Sequence, residues 1–261
     1  MMQLHAPQIF TPEFYTLTDL QLLQHHDSPY LDRIADWTRD FLAKPHPRLG
    51  RSGPVCPFLP RSLKLGAIRL GIVRTRGLNP SEIEAVVRQC RDSFLALEPN
   101  RGELAMYKAV MLIFPDLKAE TEASLVDQIQ QRLKPFFVEE GLMIGEFHQW
   151  NQTPGLHNAQ FRPLQSPIPM LAIRFMVESD LPFLDRLTDD PQVRARYLKA
   201  YLNRLGTELD EQKLHHAQQA LMSAQHQTEQ SHTYFRQETS KCPFARLAAT
   251  CSKLFAKVRA A

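Results

Sequence analysis

The sequence lacks the short motifs that identify the commonest nucleotide-binding and hydrolase sites. Its ten glycines form no Gly-x-Gly-x-x-Gly, no Gly-x-x-x-x-Gly-Lys-Ser/Thr and no Gly-x-Ser-x-Gly pattern. These absences argue against an ordinary dinucleotide site, a P-loop and the nucleophile elbow of an α/β hydrolase.

The chain also lacks a long apolar run and a strong charge of one sign. No stretch of about 18 apolar residues occurs, so we expect no transmembrane helix. The first residues do not resemble a signal peptide and the four cysteines form no Cys-x-x-Cys pair, which favours a cytoplasmic protein with reduced thiols. The formal net charge of +3 is too small to predict a nucleic-acid partner.

What the chain does contain is an ordinary globular composition, with 43% hydrophobic residues, and alternating strand-like and helix-like segments. The apolar patterns predict strands over residues 68–74, 108–114, 142–147 and 170–177, and helices over 79–97 and 120–134. Asn79-Pro80-Ser81-Glu82 has the residues of a helix start. We therefore predict an α/β (α+β) domain with a small mixed four-stranded sheet and helices mainly on one face.

The order of these elements favours parallel pairing of the first three strands, because helix-length crossovers join them. A ferredoxin-like sandwich is the alternative, and it requires a hairpin in place of the second helix. Along the chain, we predict an N-terminal helical arm over 1–49, an α/β core domain over 50–206, and a polar helical or flexible C-terminal extension over 207–261.

Cys56 lies in a Gly- and Pro-rich segment, residues 50–60, that fits no regular element. Followed by Pro57, it is a candidate catalytic or redox thiol beside the positive charges of Arg51 and Arg61. A Cys-Pro pair is also a style of haem axial ligation, and the tripeptide recurs at residues 242–244. The structural interpretation is a buried cysteine in a docking segment, because free cysteines are often buried.

His148 and His157 lie in a loop, residues 148–169, that is longer than most structureless loops. They are candidate acid–base or substrate-contacting residues, since imidazole titrates near neutral pH. Hydrogen-bonding histidines with a structural role are the alternative. A metal site needs a third ligand, such as Asp116 or Glu146, and no His-x-x-x-His spacing supports one, so we predict no metal.

Four further residues are candidate ligand-binding groups. They are Arg51, Asn158, Arg162 and Arg174. Arginine binds carboxylate and phosphate through two parallel hydrogen bonds, so these residues predict a small, anionic ligand. Pairing with carboxylates inside the protein is the structural alternative.

Three stretches resemble an uncharacterised bacterial family known as a domain of unknown function. They are GPVCPF at 53–58, GLMIGEFH at 141–148 and FRPLQSP at 161–167. The resemblance implies that the Cys56 segment and the long loop belong to one unit, and it implies no activity or site residues.

Two functions follow as hypotheses. The first is an enzyme or cofactor-binding protein of small-molecule metabolism, with a pocket between the 50–60 and 148–169 loops. The second is a non-catalytic protein–protein interaction module, with a protein partner on the C-terminal extension.

Overall fold

The computed structural model describes residues 11–22 and 26–241, and the second Cys-Pro-Phe tripeptide at 242–244 lies outside that range. The chain divides into two compact units, Met1–Val177 and Glu178–Ala261.

Five strands form one mixed sheet in the first unit. They are β1, Tyr15–Thr16; β2, Ile68–Ile72; β3, Ala109–Ile113; β4, Leu142–Phe147; and β5, Met170–Phe175. Their order across the sheet is β1-β2-β3-β5-β4. The predicted mixed α/β class is confirmed, with one short edge strand, β1, beyond the four predicted.

The pairing of the strands is only partly as predicted. β2 and β3 are parallel, as expected for strands joined by a helix. β4 runs in the same direction as β3, but the predicted pairing does not extend to β4, because β5 lies between β3 and β4 and is antiparallel to both. The long connection over residues 148–169 gives the chain enough length to reverse direction and enter the sheet at that position.

The two long helices of this unit pack on one face of the sheet. They are α3, Pro80–Ala96, and α4, Glu120–Val138; the shorter α1, Ser28–Trp37, and α2, Leu59–Lys64, belong to the apolar cluster on the opposite face. Helix α3 begins at the predicted capping box, in which the Asn79 side chain accepts a hydrogen bond from the Glu82 N–H at 3.1 Å. Helix α4 occupies the position where a ferredoxin-like sandwich needs a hairpin, so that alternative is excluded.

Helix α4 continues four residues past its predicted end at Lys134. Pro135 lies inside its last turns and cannot donate the usual backbone hydrogen bond. Phe137 and Val138 follow it and are completely buried. Burial of two such side chains contributes a few kcal/mol, about enough to offset the cost of an internal proline.

The second unit consists of helices. They are α5, Leu181–Leu184; α6, Pro191–Leu205; and α7, Glu211–Lys241. Arg194 of α6 is buried, with its guanidinium 3.1 Å from the Asp185 carboxylate and donating to the Gln227 side chain of α7 at 3.1 Å. In the described part of the chain, no helix combines the length and the apolar character needed to cross a membrane.

Lys108, which immediately precedes β3, is a buried cation in the core of the first unit. It is 1% exposed, and its Nζ donates hydrogen bonds to the backbone carbonyls of Phe94 and Leu97, both at 2.6 Å. These carbonyls belong to the C-terminal end of α3, where a positive charge is favourable. Burial nevertheless lowers the pKa of Lys108 to about 8.

This lowered pKa predicts a pH-dependent contribution to stability. Between about pH 8 and the ordinary lysine value of 10.5, the unfolded chain keeps a proton that native Lys108 has lost. The free energy of unfolding should therefore rise with pH across this window, by up to about 3 kcal/mol from this residue. Urea unfolding of the wild type and of Lys108→Met at several pH values measures the effect as the difference between the two proteins. A difference that is constant with pH would contradict the prediction.

Candidate active-site cleft

Polar side chains follow one another at the end of β4. Side chains alternate along a strand, so Glu146 and His148 lie on the same side of the sheet as Ile144, which packs in the core beneath α3 and α4. Phe147, between them, packs in the opposite core. The strand therefore places a carboxyl group and an imidazole next to α4.

Asp127 of α4 meets the imidazole of His148. Its Oδ1 lies 3.0 Å from Nε2, and because a carboxylate only accepts hydrogen bonds, the imidazole donates from Nε2. His148 is 6% exposed, whereas the Asp127 side chain is 35% exposed. Within the described residues, Nδ1 of His148 is buried and makes no hydrogen bond.

Glu146 is a half-buried carboxyl group beside this pair. Burial raises its pKa, its own backbone N–H opposes that rise, and the neighbouring Asp127 carboxylate adds to it. Among the described residues Glu146 forms no ion pair; the positive charge of Lys134 acts on it through space. The carboxyl group therefore lies where burial and a neighbouring carboxylate both disfavour its charge, and a cation beside it would offset that effect.

These residues line an open cleft of about 460 Å³ at the end of the sheet. The Trp150 ring lies at its edge, with its centroid 6.4 Å from that of His148. The remaining lining groups are polar and uncharged: Gln130, Gln131, Asn151, Gln152 and Thr153. Two of them brace the walls, since Gln130 donates to the Ile144 carbonyl at 3.0 Å and the Asn151 side chain accepts from the Thr153 N–H at 2.9 Å.

Cys56 does not line this cleft. It is half-buried and packs with the apolar cluster of α1 and α2, while its backbone N–H donates to the Leu42 carbonyl at 2.8 Å. The Val55 N–H donates in the same way to the Lys44 carbonyl at 2.9 Å. The Cys56 segment thus pairs with residues 42–45 and docks against the core; thiol chemistry and haem ligation at Cys56 stay predictions.

His157 and Asn158 hold the long loop against the Cys56 segment. The Asn158 amide donates to the Arg48 carbonyl at 2.8 Å. Gly50 has a left-handed φ of +81° and its Cα faces the backbone of His157, where a side chain would overlap the His157 carbonyl. The imidazole of His157 is exposed and does not line the cleft. The structure therefore brings the two predicted loops together without joining His157 to His148.

The predicted ligand-binding arginines donate to backbone carbonyls, and Arg162 also donates to the Gln152 side chain at 3.4 Å. Arg51 bonds to Ser52 and Val55 at 2.9 and 3.1 Å, and Arg162 bonds to Ala159 at 2.5 Å. Arg174, in β5, bonds to the Phe175 carbonyl at 3.0 Å. None of these guanidinium groups lines the cleft, and these bonds brace the loops and the strand in which the arginines lie.

Sequence reasoning identified His148 and missed Asp127. Asp127 follows the buried Val126 and precedes the buried Ile129, so it lies at the border of the apolar stripe of α4. A carboxylate at such a border is a usable signal only when the opposing strand is known. Glu146 was considered only as a metal ligand, and the described residues contain no group of three or more His, Cys, Asp or Glu side chains suited to a metal ion.

The fold and this cleft define a mixed α/β protein with an acidic, histidine-containing cleft at the end of one strand. The chain belongs to a family described as a domain of unknown function, DUF6875, whose model matches residues 31–216. The predicted resemblance to an uncharacterised family is confirmed at that level. No curated protein and no solved structure matches the chain.

Proposed function

We propose that the cleft is the active site of an enzyme that moves a proton on a small polar substrate. Asp127 acts as the general base, and His148 is the residue that positions it. The observation that carries the proposal is the 3.0 Å hydrogen bond between a buried imidazole and a half-exposed carboxylate inside an open cleft. A carboxylate held by a buried donor is pre-organised for proton transfer.

The two oxygens of Asp127 have different surroundings. Oδ1 accepts the bond from His148, while Oδ2 makes no hydrogen bond among the described residues. In the proposed step, Oδ2 accepts a proton from an O–H, N–H or activated C–H group of the substrate, and the proton returns to the product before the next cycle. The imidazole N–H fixes the carboxylate and prevents it from rotating away from the substrate.

A turnover screen with two variants at His148 tests this assignment. The panel contains nitrophenyl esters and glycosides, amino-acid amides, and aldoses for isomerisation. Gln at this position keeps an N–H donor for Asp127, and Phe keeps a ring without a donor. We expect activity to fall in the order wild type, His148→Gln, His148→Phe, with kcat changing more than KM.

A purely structural histidine predicts that His148→Phe keeps more activity than His148→Gln, because phenylalanine fills the same buried volume better than glutamine does. Circular dichroism and thermal unfolding establish that both variants are folded. Equal activity in the wild type and in folded His148→Phe, or no activity in the wild type over the whole panel, would overturn the proposal.

An interaction module is the second hypothesis from the sequence, and the cleft supports the enzyme better. The large apolar side chains that are exposed among the described residues are Leu65, Leu104, Leu156, Phe183, Leu187 and Met222. Single exposed apolar residues are common on protein surfaces and do not by themselves identify an interface. A protein partner on the C-terminal extension stays a prediction.

A further inference from the structure

The charge of the cleft restricts the ligands that it accepts. Among the described residues, its lining includes two carboxyl groups, Asp127 and Glu146, and no lysine or arginine. Lys134 of α4 acts on Glu146 through space, and Arg162 donates to the Gln152 side chain at 3.4 Å, but neither of these two cations is part of the lining. An anion would therefore meet two carboxylates with no compensating cation at the contact surface.

Trp150 adds an aromatic surface to this acidic cleft. It is half-buried, and its ring lies beside the imidazole of His148, with an angle of 35° between the two planes. The face of an indole ring attracts cations more strongly than that of any other aromatic side chain. Aromatic faces are a common means of binding quaternary ammonium ligands, and a carboxylate adds an attractive charge.

The imidazole of His148 adds an unsatisfied polar atom beside this cleft. His148 is more than nine-tenths buried, lines the cleft, and has a ring nitrogen, Nδ1, without a hydrogen bond among the described residues. Unsatisfied buried polar atoms are rare in proteins, and a missing ligand or water is a common explanation.

We propose that the ligand of this cleft is a small organic cation whose ammonium or guanidinium group lies against Glu146 and over Trp150. The proposal rests on the proposed function in so far as both use the same cleft, but it concerns different side chains. Asp127, positioned by His148, moves the proton, whereas Glu146 and Trp150 select the charge. The amide side chains of Gln131 and Gln152 contact the uncharged part of the ligand.

A matched pair of probes tests the charge preference directly. Choline and 3,3-dimethylbutan-1-ol have nearly the same shape, and only choline is charged; putrescine and agmatine serve as further cationic probes. We expect each cation to shift the amide NMR signals of residues 146–153 and choline to bind at least about tenfold more tightly than its neutral counterpart. Citrate, as an anionic probe, should leave these signals unchanged.

Two variants identify the groups responsible. Glu146→Gln keeps the size of the side chain and removes its charge, and Trp150→Leu removes the ring; each should weaken choline binding by about tenfold or more. Glu103→Gln removes the same charge at an exposed turn and is the control. If Trp150→Leu does not fold, Trp150→Phe replaces it. That variant keeps a weaker aromatic face and should bind choline with an affinity between those of the wild type and a variant without the ring.

The outcomes separate this proposal from the enzyme proposal. Cation binding that depends on Glu146, without turnover in the wild type, supports the ligand class and overturns the catalytic role. Turnover of a neutral substrate that depends on His148 supports the catalytic role and overturns the ligand class. Equal binding of choline and its neutral counterpart, unchanged binding in Glu146→Gln, or no shift with any cation up to about 10 mM would overturn the cation site.

Discussion

Asp127→Asn should lower kcat/KM by about 10²–10⁴-fold for any substrate that the turnover screen identifies. The amide has the size of the carboxylate and can still bond to Nε2 of His148, so the fold and the cleft should be preserved. It cannot accept a proton at neutral pH, so the chemical step loses its base. Because the substrate should still bind, we expect the loss in kcat, with KM little changed, and steady-state kinetics measures both.

The controls for this prediction separate charge from chemistry. Asp92→Asn removes a carboxylate from an exposed position on α3 and should leave kcat unchanged. The double variant of Asp127→Asn with His148→Phe should be hardly slower than Asp127→Asn alone, since His148 acts through Asp127 and has nothing left to position. Additive losses would show that the histidine has its own role in the reaction, and retained activity in Asp127→Asn would remove the carboxylate from the mechanism.

The partnership of Asp127 and His148 follows from chain geometry that the sequence already contains. Helix α4 leads directly into β4 through a turn near Gly141, so the two elements run side by side in opposite directions. The eleven steps from Asp127 to the end of the helix at Val138 rise about 17 Å. The six steps from Leu142, where β4 begins, to His148 extend about 20 Å. Residues at those two distances from the turn therefore lie opposite each other.

Local sequence patterns do not reveal this partnership, because they place each candidate side chain only within its own segment. His148 stood out as a polar residue just beyond an apolar strand. Asp127 looked like one more charged residue on an amphipathic helix, because the pattern of a helix does not show which of its polar positions faces a strand end. Helix length and strand length, taken together, supply the missing information.

In the two Pro-rich loops, the sequence shows the chemistry of the side chains but not the groups that they bind. Arg51 and Arg162 have the chemistry of anion ligands, but a guanidinium group also satisfies backbone carbonyls in a loop that has no regular hydrogen bonding of its own. Both uses need the same residue type in the same kind of segment. Only the folded loop distinguishes them.

Strand order was the other feature that the pattern could not determine. The apolar runs located β2 to β5 to within two residues at each end, because burial on the sheet requires them. Burial does not specify the neighbouring strand, however, and β3 would be equally buried beside β4 or β5. The predicted joining of the two loops, by contrast, has direct support in the contact of Gly50 with His157.

That contact makes Gly50→Ala the largest stability change that we expect from a single added methyl group. Gly50 and Gly77 have nearly the same left-handed backbone, with φ of +81° and +79°. An added Cβ at Gly77 has no atom within 4 Å, whereas at Gly50 it overlaps the His157 carbonyl. Gly77→Ala should therefore cost only the backbone strain, about 1 kcal/mol, and Gly50→Ala about 2 kcal/mol more. Urea unfolding of the two variants measures the difference.

Hydrogen exchange shows where the cost of Gly50→Ala falls. The long loop closes on itself through hydrogen bonds from the Gly155 N–H to the Phe161 carbonyl and from the Phe161 N–H to the Asn158 carbonyl. Pushing His157 away from Gly50 should loosen both bonds, so these two amides should exchange faster in Gly50→Ala and at the wild-type rate in Gly77→Ala. Equal stabilities of the two variants, with unchanged exchange at both amides, would mean that the loops are not held together by this contact. Faster exchange confined to the long loop, with the amides of β4 unaffected, would show that the cleft is built on the rigid strand and that the loop contact braces only its surroundings.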